Sequence, residues 1–206
     1  MRLKLVCFIF LALSFLTACQ PTQKPKEEAS SVEVEISEET ETIPAAEKPK
    51  SDIEFIKDKY AIIVNTNPHR IDSFIVECGG GTTRLERRYN EKEEISYLQY
   101  EICGGHGCST SHHYFWEGKL IFKLYQDTYW VGNSDYFKEH RTYFKDQEMI
   151  RCLEKEVSTT NGQPSIEDLM KKTPNSEVDC TTEKLTEDLV KLMTLKQGDA
   201  ESYLCE

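Results

Sequence analysis

The densest group of side chains that could carry chemistry lies between Cys103 and His113. Cys103, His106, Cys108, His112 and His113 fall within eleven residues, and cysteine and histidine at short spacings are typical zinc ligands. A redox pair is a second option, although redox motifs usually place two residues between the cysteines and this segment has four. One hypothesis is therefore a hydrolase or metal-dependent enzyme that uses His106, His112 or His113.

The N-terminus predicts where the protein is located. Arg2 and Lys4 precede an apolar run of 12 residues, Leu5–Leu16, which is too short to span about 30 Å of hydrocarbon and is typical of a signal peptide, here residues 1–18. The following Leu16-Thr17-Ala18-Cys19 resembles the bacterial lipobox. The resemblance implies cleavage before Cys19 and attachment of lipid to its sulfur, so that the acyl chains anchor the protein to a membrane.

The resemblance also implies a cell-envelope location. Gln20 follows the cysteine and favours the outer membrane if the host is Gram-negative, with the folded domain in the periplasm or at the cell surface. Residues 19–50 combine the lipidated cysteine with an acidic tether, since positions 20–50 hold eight Glu, four Lys and four Pro without an aromatic residue. Such a composition cannot bury enough apolar surface to fold alone.

Residues 51–206 form the predicted folded domain. They contain 19 basic and 28 acidic residues, a net charge of −9, which disfavours nucleic acid as a partner because phosphate contacts need clustered Lys and Arg. We predict no cofactor other than the covalent lipid on Cys19.

The cysteines of an exported domain favour disulfides over metal binding. Six cysteines remain after Cys19, and six allow 15 pairings. The flexible Gly104–Gly107 loop favours a Cys103–Cys108 bond. We further predict Cys180–Cys205 around the last helix and, by elimination, Cys78–Cys152.

Hydrophobic spacing predicts an α+β fold. An amphipathic helix begins after Ser51 and ends near Asn65, with Ser51 and Glu54 in a capping box. Alternating apolar and polar residues then predict an antiparallel β-meander, and two helices follow at the C-terminus. The predicted strands and C-terminal helices are 73–78, 84–89, 95–103, 112–116, 120–125, 141–144, 149–153, 166–172 and 183–195.

Two predicted hairpins repeat each other. Tyr114-Phe115 and Tyr143-Phe144, 29 residues apart, each precede a turn and an apolar pair. Together with the helix pattern over Ile53–Asn65, these segments resemble a group of uncharacterised bacterial exported proteins with Tyr-Phe-x-x-Gly-Lys-Leu hairpins. The resemblance implies an exported helix-plus-sheet module and no mechanism. The second copy departs from the pattern because it has Gln147-Glu148-Met149 in place of Gly-Lys-Leu.

The remaining candidates are aromatic side chains that could form a binding surface. We expect the binding surface to be either the sheet face or the segments 104–113 and 126–138, which we predict to be loops. The candidates are His106, Tyr129, Trp130, Tyr136 and Phe137, since aromatic residues supply contact area at interfaces. Carboxylates occur nearby, but no spacing pattern supports a glycosidase pair. The sequence therefore predicts a non-catalytic binding module for an envelope protein or glycan, of which an inhibitor or immunity protein is the sharper version. The enzyme and a purely structural envelope lipoprotein remain the alternatives.

Overall fold

The computed structural model describes residues 50–180 and 185–205. In these ranges, eight antiparallel strands form one open sheet, and each strand pairs with its neighbour in sequence. The predicted antiparallel meander is therefore confirmed. The strands are β1 (Arg70–Cys78), β2 (Gly81–Tyr89), β3 (Ile95–Gly104), β4 (Gly107–Trp116), β5 (Lys119–Val131), β6 (Ser134–Lys145), β7 (Glu148–Thr160) and β8 (Ser176–Val178).

Helices precede and follow the sheet. The described part of the chain contains α1 (Asp52–Asn65), α2 (Ile166–Lys172), α3 (Leu185–Thr194) and α4 (Ala200–Leu204). The Ser51 hydroxyl accepts a hydrogen bond from the Glu54 backbone amide while the Glu54 carboxylate accepts one from the Ser51 amide, which closes the capping box at the start of α1. The predicted signal peptide (1–18), the predicted lipid attachment site Cys19, the predicted tether up to residue 49 and the predicted start of the last helix at 183–184 lie outside the described residues.

The two repeated hairpins have the same turn. Glu117 and Gly118 have φ of 50° and 72°, and Asp146 and Gln147 have φ of 48° and 71°. Positive φ at both central residues indicates type I′ turns, whose twist matches that of the flanking strands. The departure at Gln147 therefore leaves the hairpin intact.

One face of the sheet packs against α1, and we call it the α1 face. Its core is aromatic: Tyr97, Tyr114, Phe122 and Tyr143 lie side by side on successive strands, and Ile56 of α1 packs against them. The Lys145 ammonium bonds the Asp52 carboxylate at 2.9 Å, which places the start of α1 at the end of β6. The α2 helix lies on the same face, since the Lys155 ammonium of β7 donates to the Met170 carbonyl.

The opposite face, the α4 face, packs against the C-terminal helices. Leu85, Leu98 and Phe115 are buried there with Leu192 of α3 and Leu204 of α4. The Arg87 guanidinium, 5% exposed, donates to the Met193 carbonyl at 2.9 Å and so satisfies a carbonyl near the end of α3. The C-terminal helices thus cover the β1–β3 part of this face.

The six predicted disulfide cysteines form three bonds within the described residues, but two of the three predicted pairings are wrong. Cys103–Cys108 is present, whereas Cys78 bonds Cys205 and Cys152 bonds Cys180. Cys78 and Cys152 lie on β1 and β7, six strand spacings or roughly 29 Å apart, which no disulfide spans. The segment after β8 instead brings Cys180 to Cys152 on β7, and α4 brings Cys205 to the end of β1.

Candidate functional site

The most exposed aromatic side chains of the sheet lie where β5 and β6 meet. Tyr129 is 38% exposed, Trp130 46% and Val131 64%, and the chain reverses after Val131 through a two-residue turn. We call this region, formed by His106, Tyr129, Trp130, Val131 and Tyr136, the aromatic end. Large exposed apolar groups in one place are typical of an interaction surface.

Both faces of the β5–β6 hairpin carry aromatic rings at the aromatic end. Tyr129 and Tyr136 are register partners on the α4 face, and their rings stack with centroids 4.9 Å apart and planes inclined by 7°. Trp130 points to the α1 face, where its ring lies 6.1 Å from that of His106. The hairpin therefore offers a flat tyrosine pair on one face and an indole on the other.

The neighbouring β3–β4 hairpin holds the aromatic end in place. The Trp130 amide donates to the His106 carbonyl at 3.0 Å, and Cys103–Cys108 closes the hairpin one residue pair before its turn. Gly107 allows this approach because a Cβ there would lie 1.9 Å from the Thr128 carbonyl oxygen, and its φ of 152° is one that other residues rarely adopt.

Two sequence predictions for this region are wrong. Segments 104–113 and 126–138 are not loops, since β3 to β6 continue through them and leave two-residue turns. Phe137 is not a surface residue, because it is 2% exposed. It alternates with Tyr136 and so points to the α1 face, where Val157 lies beside it in register and α2 packs against β6 and β7.

The three candidate histidines do not converge. His106 is exposed in the β3–β4 turn, whereas His112 and His113 are neighbours on β4 and point to opposite faces of the sheet. Cys103 and Cys108 are joined in a disulfide, so their sulfurs are not thiolate ligands. In residues 50–180 and 185–205, no three His, Cys, Asp or Glu side chains lie together as metal ligands would.

His113 is a buried, neutral core residue. It is 4% exposed, and burial, together with the nearby ammonium of Lys123, its register partner on β5, lowers the pKa of its ring to about 3. A neutral imidazole at this position avoids the desolvation of a charge.

His112 belongs to a hydrogen-bonded network on the α1 face. Its Nδ1 lies 2.7 Å from the Tyr97 hydroxyl, which also lies 2.9 Å from the Gln99 side-chain oxygen. The Tyr97 hydroxyl therefore links the His112 ring to the Gln99 side chain. Burial lowers the pKa of His112, and burial also raises the pKa of Tyr97 to about 12.

A buried carboxylate lies further along the same face. Glu139 is 4% exposed and accepts hydrogen bonds from Arg141 Nε at 2.7 Å and Gln126 Nε2 at 3.1 Å. These bonds satisfy the ionised form, as a buried charge requires. Asp127 lies on the opposite face and accepts from the Ser109 hydroxyl, so the two carboxylates do not face a common substrate.

One feature had no counterpart among the sequence predictions. A cavity of about 480 Å³ lies at the other end of the sheet, where α1 stops, between residues 62–69, the β2–β3 turn and the start of the β4–β5 turn. Its walls come from three separate segments of the chain, so no local pattern indicates it. The sequence shows only that two apolar residues, Ile62 and Val64, lie near the end of the helix. In the structure they are 46% and 45% exposed at the edge of the cavity.

Comparisons with protein-family models, with curated proteins and with solved structures each find no match to this chain. Within the described residues, no helix combines the length and apolar character needed to cross a membrane.

Proposed function

We propose that the protein is a non-catalytic binding module, held to the bacterial cell envelope by lipid on Cys19, and that its aromatic end binds an envelope glycan. The lipobox-like Leu16-Thr17-Ala18-Cys19 supports the location. Disulfides are typical of exported proteins, and the three disulfides of the described residues support an exported location.

The observation that carries the ligand class is the set of aromatic rings at the tip of the β5–β6 hairpin: the Tyr129–Tyr136 stack on the α4 face, with Tyr129 38% exposed, and Trp130, 46% exposed, on the α1 face. Sugar rings present C–H groups on their faces and hydroxyls at their edges, and flat aromatic rings with polar tips suit both. Polar side chains adjoin the stack on the α4 face, where Asp127 and Lys138 are the next register pair. A ligand could thus pack on the rings and hydrogen-bond to their neighbours.

The experiment is cosedimentation of the full-length chain, in detergent, with purified bacterial peptidoglycan. We expect the wild-type chain to sediment with the glycan. Trp130→Ala and Tyr129→Ala should each weaken binding more than tenfold, as loss of an aromatic hot spot does. The control is Ile75→Ala, since Ile75 on β1 is 58% exposed and lies outside the aromatic end. Equal binding by Trp130→Ala, Tyr129→Ala and the control would overturn the proposal.

A cationic envelope protein is the second candidate, and the net charge of −9 over residues 51–206 favours it. This is the inhibitor or immunity version of a binding module. Charge-steered association weakens as salt screens it, whereas packing of sugars on aromatic rings changes little. Binding that raised salt abolishes, together with no retention on peptidoglycan, would favour this candidate.

A further inference from the structure

The α1 helix covers a row of aromatic side chains and ends before the row does. Tyr143, Phe122, Tyr114 and Tyr97 occupy successive strands of the α1 face, and the next register partner, on β2, is Arg88. The helix ends at Asn65, and the chain turns through Pro68 into β1. The cavity of about 480 Å³ lies where the cover stops.

We propose that this cavity binds a small carboxylate that has an aromatic or branched apolar body. A volume of 480 Å³ lies within the range of small-molecule sites. The site is separate from the aromatic end, because the β2–β3 and β4–β5 turns lie at the opposite end of the sheet from the β3–β4 and β5–β6 turns.

The walls of the cavity suit an apolar body. They include Ile63 from α1 and the rings of Tyr97, Tyr114 and Trp116. Tyr97 and Tyr114 are 7% and 6% exposed, and burial raises the pKa of both hydroxyls. Both phenols are therefore neutral at physiological pH, and the walls bring no tyrosinate charge that would repel an anion.

Arg88 supplies a fixed cation at the wall. Its guanidinium carbon lies 4.7 Å from the centre of the Tyr97 ring, and its Nε donates to Glu86 at 2.7 Å. The ring and the carboxylate orient the planar group, and the bond through Nε leaves the two terminal nitrogens as a donor pair. Such a pair matches the two oxygens of a carboxylate.

The rim of the cavity carries charges of both signs. Lys92 and Glu91 lie on the β2–β3 turn, Glu117 lies on the β4–β5 turn, and the Glu94 carboxylate accepts a hydrogen bond from Asn90 at 3.0 Å. With three acidic side chains and one basic one, this rim repels a polyanion. Selectivity therefore depends on the contact with Arg88, which favours a single carboxylate.

The test uses three probes of the same shape: 3-phenylpropionate, 3-phenylpropanol and 3-phenylpropylamine. The chain has two tryptophans, so full-length Trp130→Phe leaves Trp116, in the cavity wall, as the only fluorescent indole. We expect a saturable change in Trp116 emission with 3-phenylpropionate and at least tenfold weaker binding of the alcohol and the amine. The absence of a saturable change with 3-phenylpropionate, or equal binding of all three probes, would overturn the proposal.

Substitution of Arg88 then tests the contact itself. We expect Arg88→Gln to raise the Kd for 3-phenylpropionate at least tenfold and Arg88→Lys to raise it less, because lysine keeps the charge and loses the paired donors. The control is Arg84→Gln, on the same face of β2, which is 46% exposed and lies outside the cavity lining. An equal effect of Arg84→Gln and Arg88→Gln on the Kd would contradict a specific role of Arg88. If either variant does not fold, the comparison of the three probes on the chain that keeps Arg88 still tests the proposal.

Discussion

The covered and uncovered parts of the sheet use aromatic residues in opposite ways. Beneath α1, Tyr97, Tyr114, Phe122 and Tyr143 form a core, whereas at the aromatic end Trp130 and Val131 are 46% and 64% exposed. Both parts are made of antiparallel strands whose side chains alternate between the two faces of the sheet. The helices, and not the strand sequences, therefore decide which aromatic residues build stability and which remain available for binding.

The largest single loss of stability should come from removing a disulfide. Cys78–Cys205 closes 127 residues and holds α4 on β1, whereas Cys103–Cys108 closes five residues at the aromatic end. Loop entropy predicts that Cys78→Ser with Cys205→Ser lowers the free energy of unfolding by about 4 to 5 kcal/mol, against roughly 2 kcal/mol for Cys103→Ser with Cys108→Ser. Equilibrium unfolding in guanidinium chloride measures both. Equal losses would mean that α4 is not held mainly by its disulfide.

The second comparison replaces one aromatic residue with alanine in the covered part of the sheet and one at the aromatic end. Phe122 is 7% exposed, with the Tyr143 ring centroid 5.0 Å from its own, so Phe122→Ala should lower the free energy of unfolding by about 3 to 5 kcal/mol. Trp130→Ala should lower it by less than about 1 kcal/mol, because the indole is nearly half exposed. The same unfolding experiment measures both, and a large loss with Trp130→Ala would show that the aromatic end is part of the core.

The third comparison concerns pH and two histidines. The folded-state pKa of His113 is about 3, below the unfolded value of about 6.5. As pH falls below 6.5, the unfolded chain binds a proton that the folded chain does not, so stability falls by about 1.4 kcal/mol per pH unit toward pH 4.

The control for this pH effect lies in the uncovered part. His113→Leu should make the free energy of unfolding fall less steeply as the pH is lowered. His106→Gln, in the exposed β3–β4 turn, should show the same dependence on pH as the wild type. Unfolding curves collected from pH 7 to pH 4 (roughly the interval over which His113 acts) measure it. An unchanged slope in His113→Leu would contradict burial of a neutral ring.

The smallest effect tests how β4 approaches β5. Gly107→Ala forces a Cβ against the Thr128 carbonyl and into an unfavourable φ, which should cost roughly 1 to 3 kcal/mol. Gly105→Ala is the matched control, because nothing lies within 4 Å of its Cβ position. Thermal unfolding separates the two variants. Equal stability would mean that the hairpin shifts to accept the side chain.

Sequence reasoning recovered the sheet where apolar and polar residues alternate, as in Ile95–Gly104. It failed at 104–113, where glycine and short polar side chains have low strand propensity and the pairing comes from neighbouring strands. It also failed at 126–138, although residues 128–131 and 136–137 there are of types that favour strands. It found the local Cys103–Cys108 bond. It missed the two long-range bonds because these depend on where β8 and α4 dock.

The exposure of the candidate binding residues was predicted in part for a related reason. Alternation places Tyr136 and Phe137 on opposite faces of β6, but no local pattern says which face α2 covers. The structure buries Phe137 and leaves Tyr136 half-buried beside Tyr129. The cavity depends on where α1 ends relative to the β2–β3 turn, a distance between elements that sequence spacing does not contain.

The most direct test of glycan binding at the aromatic end uses the two tryptophans as reporters. Trp130 lies at the aromatic end and Trp116 lines the cavity at the opposite end, and each gives one indole N–H signal in a ¹⁵N-correlated NMR spectrum, assigned with Trp130→Phe. On titration of the full-length chain with soluble peptidoglycan fragments, we expect the Trp130 signal to shift saturably while the Trp116 signal stays in place. A shift of Trp116 alone, or no shift of either signal, would contradict glycan binding at the aromatic end.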